Sequence, residues 1–77
     1  MSLKSDIRRY ILENEGSAET TEGVTRVWLK QPHSARILVQ VEQALDELVD
    51  EGILERHSLP GGTSIYRRAR RDEDNEP

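Results

Sequence analysis

Residues 34–54, SARILVQVEQALDELVDEGIL, decide the fold that this sequence predicts. At 100° per residue, the angular step of an α-helix, its apolar side chains collect on one face. They are Ile37, Leu38, Val41, Ala44, Leu45 and Leu48, with Val49 at the margin. Ser34 is a favoured N-cap residue, and Gly52 suits the left-handed position just beyond a helix end. The stretch therefore predicts a long helix from Ser34 to Glu51 that buries its apolar face.

Two shorter helices are predicted ahead of the long one. Apolar residues at helical spacing predict a first helix from Ser2 to Asn14. These residues are Leu3, Ile7, Tyr10 and Ile11. A second helix, capped by Thr20 or Thr21, presents three apolar residues on one face and ends before Pro32, because the residue before a proline is pushed out of the α region. The three are Val24, Val27 and Trp28. The polar segment 17–22 shows no clear strand between these helices.

A β-hairpin is predicted after the long helix. Residues 53–57 and 64–68 carry β-permissive side chains and flank the turn residues 59–63, which include two glycines. Two strands are not stable alone, so the hairpin must pack against the helices. From Arg70 onward charge and proline dominate, which predicts a disordered tail. The chain thus divides into one domain, residues 1–69, and a charged tail, residues 70–77.

Charge is unevenly distributed along the chain. The net charge of −4 is the sum of −4 over residues 1–51, +4 over residues 52–71 and −4 over residues 72–77. Such asymmetry bears on binding partners rather than on fold. The 77 residues contain no cysteine, no apolar run long enough for a membrane span and no signal-peptide pattern. We therefore expect a soluble, cytoplasmic protein without a membrane partner.

The run Val41–Arg56, VEQALDELVDEGILER, resembles the winged-helix variant of the helix-turn-helix superfamily. Winged helices often show apolar-x-x-Ala-Leu-x-x-Leu-x-x-x-Gly-apolar-apolar where the third helix ends and the wing begins, and here the turn Pro60–Thr63 and the strand Ser64–Arg68 follow. The likeness covers most of residues 3–69. It implies a mainly α fold with a small β-hairpin, a three-helix winged helix-turn-helix. The sequence departs from the winged-helix pattern in two ways. Thr21–Lys30 lacks the small-residue and glycine pattern that many such second helices carry before the turn, and no clear strand lies between the first two helices.

The resemblance implies that the chain binds double-stranded DNA and regulates transcription. The third helix would enter the major groove, with outward residues near its N-terminus against base edges. Those residues are Arg36, Val39, Gln40 and Gln43. Arginine and glutamine can form paired hydrogen bonds with guanine and adenine, respectively. The hairpin arginines, Arg56, Arg67 and Arg68, would hold backbone phosphates.

Acidic residues further along the same face favour an alternative function. Asp46, Glu47 and Asp50 repel phosphate and would suit a winged helix that binds a basic protein surface. Ordinary solvated residues would give the same pattern, so the sequence leaves both functions open. A homodimer also stays open, although no helix is dedicated to dimerisation.

Catalytic signals are missing from the sequence. No nucleophile–base arrangement, metal-ligand spacing or phosphate-binding glycine loop can be identified. We therefore expect no enzyme activity, no metal site and no cofactor.

Overall fold

The computed structural model describes residues 2–32 and 34–69, which form three helical segments and a small antiparallel sheet. Helix α1 spans Leu3–Glu13, strand β1 spans Ala18–Glu19, and helix α2 spans Thr21–Gly23 and continues as a π-helix over Val24–Trp28. Helix α3 spans Ala35–Asp50, strand β2 spans Leu54–Ser58, and strand β3 spans Ser64–Arg68. The predicted tail, residues 70–77, lies outside the described residues.

Hydroxyl side chains cap the start of all three helices. Ser2, Thr20 and Ser34 each accept a hydrogen bond from the backbone N–H three residues further on, at 3.1, 3.1 and 3.2 Å. Each cap satisfies one of the helix's unpaired N–H groups, which contributes about 1 kcal/mol. At the other end of α3, Gly52 takes the left-handed conformation expected of it, with φ of 82°. The caps predicted for the second and third helices and the predicted end of the long helix are therefore confirmed.

One apolar core joins the helices to the sheet. Its buried side chains are Ile7, Ile11, Val24, Trp28, Val41, Ala44, Leu45, Leu48, Leu54 and Tyr66. Helix α3 contributes four of the ten, more than any other element, as its apolar face predicts, although Ile37 and Leu38 at its start are only half-buried. Trp28 stacks on Tyr10, with the ring centroids 5.1 Å apart. The long helix is thus held against both of its shorter neighbours and against the hairpin.

Val27 was predicted to face the core, and the structure places it elsewhere. Its side chain is 49% exposed, whereas Thr25 is completely buried. The segment is π-helical: the Leu29 N–H donates to the Val24 carbonyl, five residues back, at 3.0 Å. This wider turn rotates each residue by less than an α-helix does, so Val27 leaves the apolar face. The buried Thr25 hydroxyl donates to the Thr21 carbonyl at 2.9 Å and so keeps a hydrogen-bond partner.

The sheet has three strands in the order β1-β3-β2. Strand β1 pairs antiparallel with β3, which sets Ala18 opposite Arg67 and Glu19 opposite Tyr66. The prediction of no strand between the first two helices is therefore wrong. A two-residue strand is too short to show an alternating pattern of its own, and it is defined by the strand with which it pairs.

The hairpin sends two of its arginines to opposite faces, as strand alternation predicts. Arg67 lies opposite Glu55, and Arg68 lies opposite Leu54. Because Leu54 is buried, Arg68 shares the core side of the sheet, and Arg67 projects from the outer side. The two strands meet through a turn in which Gly61 and Gly62 have φ values of 96° and 92°, a conformation that glycine adopts without strain.

Candidate functional site

The N-terminal half of α3 presents a free polar surface. The side chains predicted to read bases, Arg36, Val39, Gln40 and Gln43, are all exposed, and Val39 is 55% exposed. Within residues 2–32 and 34–69, none of the four forms an ion pair or a side-chain hydrogen bond. Ser34 fixes the first turn of the helix beneath them. Their hydrogen-bonding groups are therefore available to a partner.

The C-terminal half of the same face is acidic but partly neutralised by its own chain. Asp46 accepts a hydrogen bond from Arg56 at 3.5 Å, and Glu47 lies 3.3 Å from the Lys4 ammonium. Asp50 has no ion-pair partner in the described part of the chain. Ion pairs at an exposed surface stabilise little, yet each brings opposite charges together and weakens the local field. The acidic face is thus less negative than its sequence indicates.

Lys4 ties α1 to the end of α3. Its ammonium contacts the carboxylates of both Glu51 and Glu47. Hydrogen bonds to these carboxylates, with Glu51 the larger contributor, raise the pKa of Lys4 above its ordinary value. Lys4 therefore stays charged at every physiological pH, and its positive charge faces the acidic half of α3.

Each hairpin arginine is placed beside a carboxylate. The pairs are Arg56–Asp46 at 3.5 Å, Arg67–Glu55 at 3.3 Å and Arg68–Glu15 at 3.0 Å. Glu55 also contacts His57, at 2.9 Å. Two of these carboxylates come from other elements, Glu15 from the segment after α1 and Asp46 from α3. The structure brings the three arginines together in one hairpin, but it does not leave them unpaired.

Arg56 also makes an aromatic contact across the hairpin. The Arg56 guanidinium lies 5.8 Å from the centre of the Tyr66 ring, within range of a cation–π interaction. Tyr66 is buried, and its burial raises the pKa of its hydroxyl, an effect that the Arg56 charge partly offsets. The Arg56 side chain is therefore positioned by Asp46 and Tyr66 together.

Some of the described lysines and arginines have no carboxylate partner among the described residues. Of the nine lysines and arginines described, four form no ion pair within residues 2–32 and 34–69: Arg8, Arg26, Lys30 and Arg36. The last three, here called the turn cluster, lie in sequence on either side of the turn between the π-helix and α3 and are all exposed. Sequence reasoning singled out Arg36 but passed over Arg26 and Lys30. The signal that could have found them was their position on either side of the predicted turn.

Two features are absent from the described part of the chain. Residues 2–32 and 34–69 contain no group of three histidine or acidic side chains arranged to hold a metal ion. Within the same ranges, no helix combines the length and the apolar character needed to cross a bilayer.

No family model matches this sequence, and neither a curated protein nor a solved structure matches it. The winged-helix resemblance accordingly stays a prediction. What bears on function is the geometry of the chain's own residues.

Proposed function

We propose that this chain is a winged helix-turn-helix protein that binds double-stranded DNA through the N-terminal half of α3. The order of the elements supports the proposal, since three helices are followed by a hairpin. Strand β1 adds to this support, because the winged-helix pattern has a strand between the first two helices and this chain has one at Ala18–Glu19. A fold does not determine a function, so the proposal depends on the surface of α3.

The observation that carries the proposal is the unpaired, exposed set at the start of α3. From Arg36 to Gln43 the helix advances about 10 Å, a length that fits into a major groove about 12 Å wide. Arg36 can form two hydrogen bonds with a guanine, and Gln40 and Gln43 can each do so with an adenine. Val39 between them can contact a thymine methyl group. The residue types and their spacing thus suit direct reading of base edges.

The acidic residues of α3 limit this surface without cancelling it. Asp46 lies ten positions after Arg36, about 15 Å further along the axis, where a docked helix leaves the groove. Asp46 and Glu47 are also paired with cations of their own chain. Their repulsion of phosphate is therefore reduced by distance and by charge pairing.

The hairpin arginines have a smaller role than their sequence predicts. A phosphate that approaches Arg67 or Arg68 also approaches the carboxylate bound to that arginine. Exposed ion pairs contribute about 0–1 kcal/mol each, so DNA can displace them, but the net gain per contact is small. We infer that α3 and its surroundings supply most of the DNA affinity.

A fluorescence-anisotropy titration tests the proposal. The full chain is titrated against a labelled random-sequence duplex at about 50 mM and about 200 mM salt, and the affinity should fall steeply at the higher concentration because phosphate contacts release counterions. On a duplex selected for tight binding, the double variant Gln40→Ala, Gln43→Ala should bind at least tenfold more weakly, while Asp50→Asn should not weaken binding. Absence of duplex binding at both salt concentrations would refute the proposal.

The alternative partner, a basic protein surface, would use the acidic half of α3. Asp50 favours it most, because it is exposed and has no ion-pair partner in the described part of the chain. Such a partner would bind regardless of added DNA and would be lost on the charge reversals Asp46→Lys and Asp50→Lys. Sedimentation with and without duplex would also show whether one chain or two occupy a site.

A further inference from the structure

Lys30 adopts a backbone conformation that lysine rarely takes. Its φ is 53°, and it is the only residue other than glycine with a positive φ among residues 2–32 and 34–69. A hydrogen bond of the next residue stabilises this conformation. The Gln31 N–H donates to the Thr25 carbonyl at 2.9 Å and closes the end of the π-helix. At the corresponding position after α3 the chain has a glycine, Gly52. A side chain in the left-handed region costs stability, so lysine is the less stable choice at this turn.

The position of Lys30 suggests what offsets that loss. Its side chain is exposed, and it stands between Arg26 on the π-helix and Arg36 in the first turn of α3, both exposed as well. None of the three has a carboxylate partner in the described residues. Left-handed residues in folded proteins concentrate at binding sites, where an otherwise unfavourable conformation is kept because it places a group correctly. The ammonium at this turn is therefore a candidate contact rather than a neutral surface charge.

We propose that Lys30, together with Arg26, binds phosphates of the DNA backbone beside the base contact of Arg36. This inference rests on the proposed function, since it takes α3 to lie against a duplex. Arg26 and Lys30, both unpaired among the described residues, precede α3 and complement the phosphates that border the groove which the start of this helix would enter. Lysine suits this task because its ammonium is a compact charge with three rotatable donors. The main electrostatic contacts then come from this turn and not from the hairpin.

The variant Lys30→Gly tests the two effects of Lys30, its backbone strain and its charge. Lys30→Gly keeps the left-handed backbone, removes its strain and removes the charge. We expect the melting temperature to rise by about 4 °C, because relief of this strain favours the folded state. We expect DNA affinity at about 0.1 M salt to fall roughly fivefold to tenfold, since one phosphate contact is lost. A single substitution would thus make the protein more stable and a weaker binder.

The salt dependence of DNA binding measures the number of phosphate contacts. With two phosphates held by Arg26 and Lys30, while Arg36 contacts a base, the logarithm of the association constant should fall with the logarithm of salt concentration at a slope of about −1.8, and Lys30→Gly should reduce this to about −0.9. Lys30→Arg should keep the slope. Lys30→Asn, a neutral residue that tolerates the left-handed region, should repeat the loss of slope without relying on glycine. Arg8→Gln is the matched control, because Arg8 is exposed and unpaired but lies on α1.

The outcomes separate this inference from the proposed function. If the wild-type chain binds duplex and Lys30→Gly and Lys30→Asn leave both affinity and slope unchanged, the phosphate contact is refuted and DNA binding by α3 stands. Arg8→Gln with the same effect as Lys30→Asn would also refute it, since any surface cation would then count equally. If the wild-type chain binds no duplex, both inferences fail, whatever Lys30→Gly does to the melting temperature.

Discussion

The hairpin and the turn before α3 carry the same kind of side chain in opposite electrostatic states. In the hairpin, Arg56, Arg67 and Arg68 each lie within 3.5 Å of a carboxylate oxygen. In the turn cluster, Arg26 and Arg36 lie on adjacent elements without any such partner in the described residues. By sequence both regions are basic, residues 52–71 by +4 and residues 26–36 by +3, but among the described residues the cations of the hairpin are paired with carboxylates and those of the turn are not.

The hairpin shows that local charge along a sequence is a poor guide to free charge at a surface. Residues 52–71 carry a net +4, which predicts a basic patch. Folding brings Asp46 and Glu15, from 10 and 53 positions away, against two of those arginines. Residues 26–36 carry three cations and no acidic residue, and none of these three cations has a carboxylate partner in the described residues. Binding to an anionic partner therefore depends on which cations the fold leaves unpaired.

The largest expected effect is a loss of stability, caused by a substitution in the core that joins the hairpin to the turn. Leu45 is completely buried, so Leu45→Ala should lower the free energy of unfolding by about 2–5 kcal/mol through lost burial and an unfilled cavity. Urea unfolding followed by Trp28 fluorescence and by far-ultraviolet circular dichroism should still show one shared transition. Val39→Ala, at an exposed position of the same helix, is the control and should change stability by less than about 0.5 kcal/mol. Separate transitions for the two probes would mean that the hairpin and the turn do not share one core.

A matched pair of arginine variants compares the contributions of the turn and of the hairpin to DNA affinity. Arg36→Gln removes a free guanidinium and should weaken binding to a selected duplex by about 1–3 kcal/mol. Arg67→Gln removes an arginine already bound to Glu55 and should weaken it by less than about 0.5 kcal/mol, since its charge is largely neutralised. Both variants change the charge by the same amount, so anisotropy titrations at one salt concentration compare them directly.

The opposite order would overturn the comparison. If Arg67→Gln lost as much affinity as Arg36→Gln, the ion pair with Glu55 would have to open fully on binding. The hairpin would then be the main phosphate contact, as the sequence alone predicts. Thermal melting of both variants checks that neither loss comes from unfolding.

The fold could be predicted where side-chain patterns are local and repeated. Helix α3 was predicted to within one residue at each end, because its apolar residues recur at helical spacing between a serine cap and Gly52. Strand β3 was predicted with its bounds for a similar reason, since it follows a glycine turn. Strand β1 and the π-helix were not predicted. A two-residue strand depends on the strand with which it pairs, and the wider turn of a π-helix leaves no distinct pattern in the sequence. Val27 was misplaced for the same reason.

The candidate site could be predicted only in part. The exposed face of α3 follows from the same periodicity that places its apolar face, so the position of Arg36 and Gln40 was correct. The pairing of Arg68 with Glu15 and of Arg56 with Asp46 depends on contacts between distant segments, which composition does not encode. The left-handed conformation of Lys30 gives no sequence signal either, because glycine or asparagine is the usual residue there. That the site binds DNA is a prediction, both from the sequence and from the structure.

The smallest expected effect comes from releasing one hairpin arginine. Asp46→Asn removes the carboxylate 3.5 Å from Arg56, and because these side chains are 55% and 40% exposed, stability should change by less than about 1 kcal/mol. The freed guanidinium should raise duplex affinity about twofold to threefold at low salt, and less at high salt, where charges are screened. Asp50→Asn is the control, since it removes the same charge from α3 without releasing an arginine. If both variants gain equally, pairing does not mask Arg56, and the contrast between hairpin and turn has no consequence for binding.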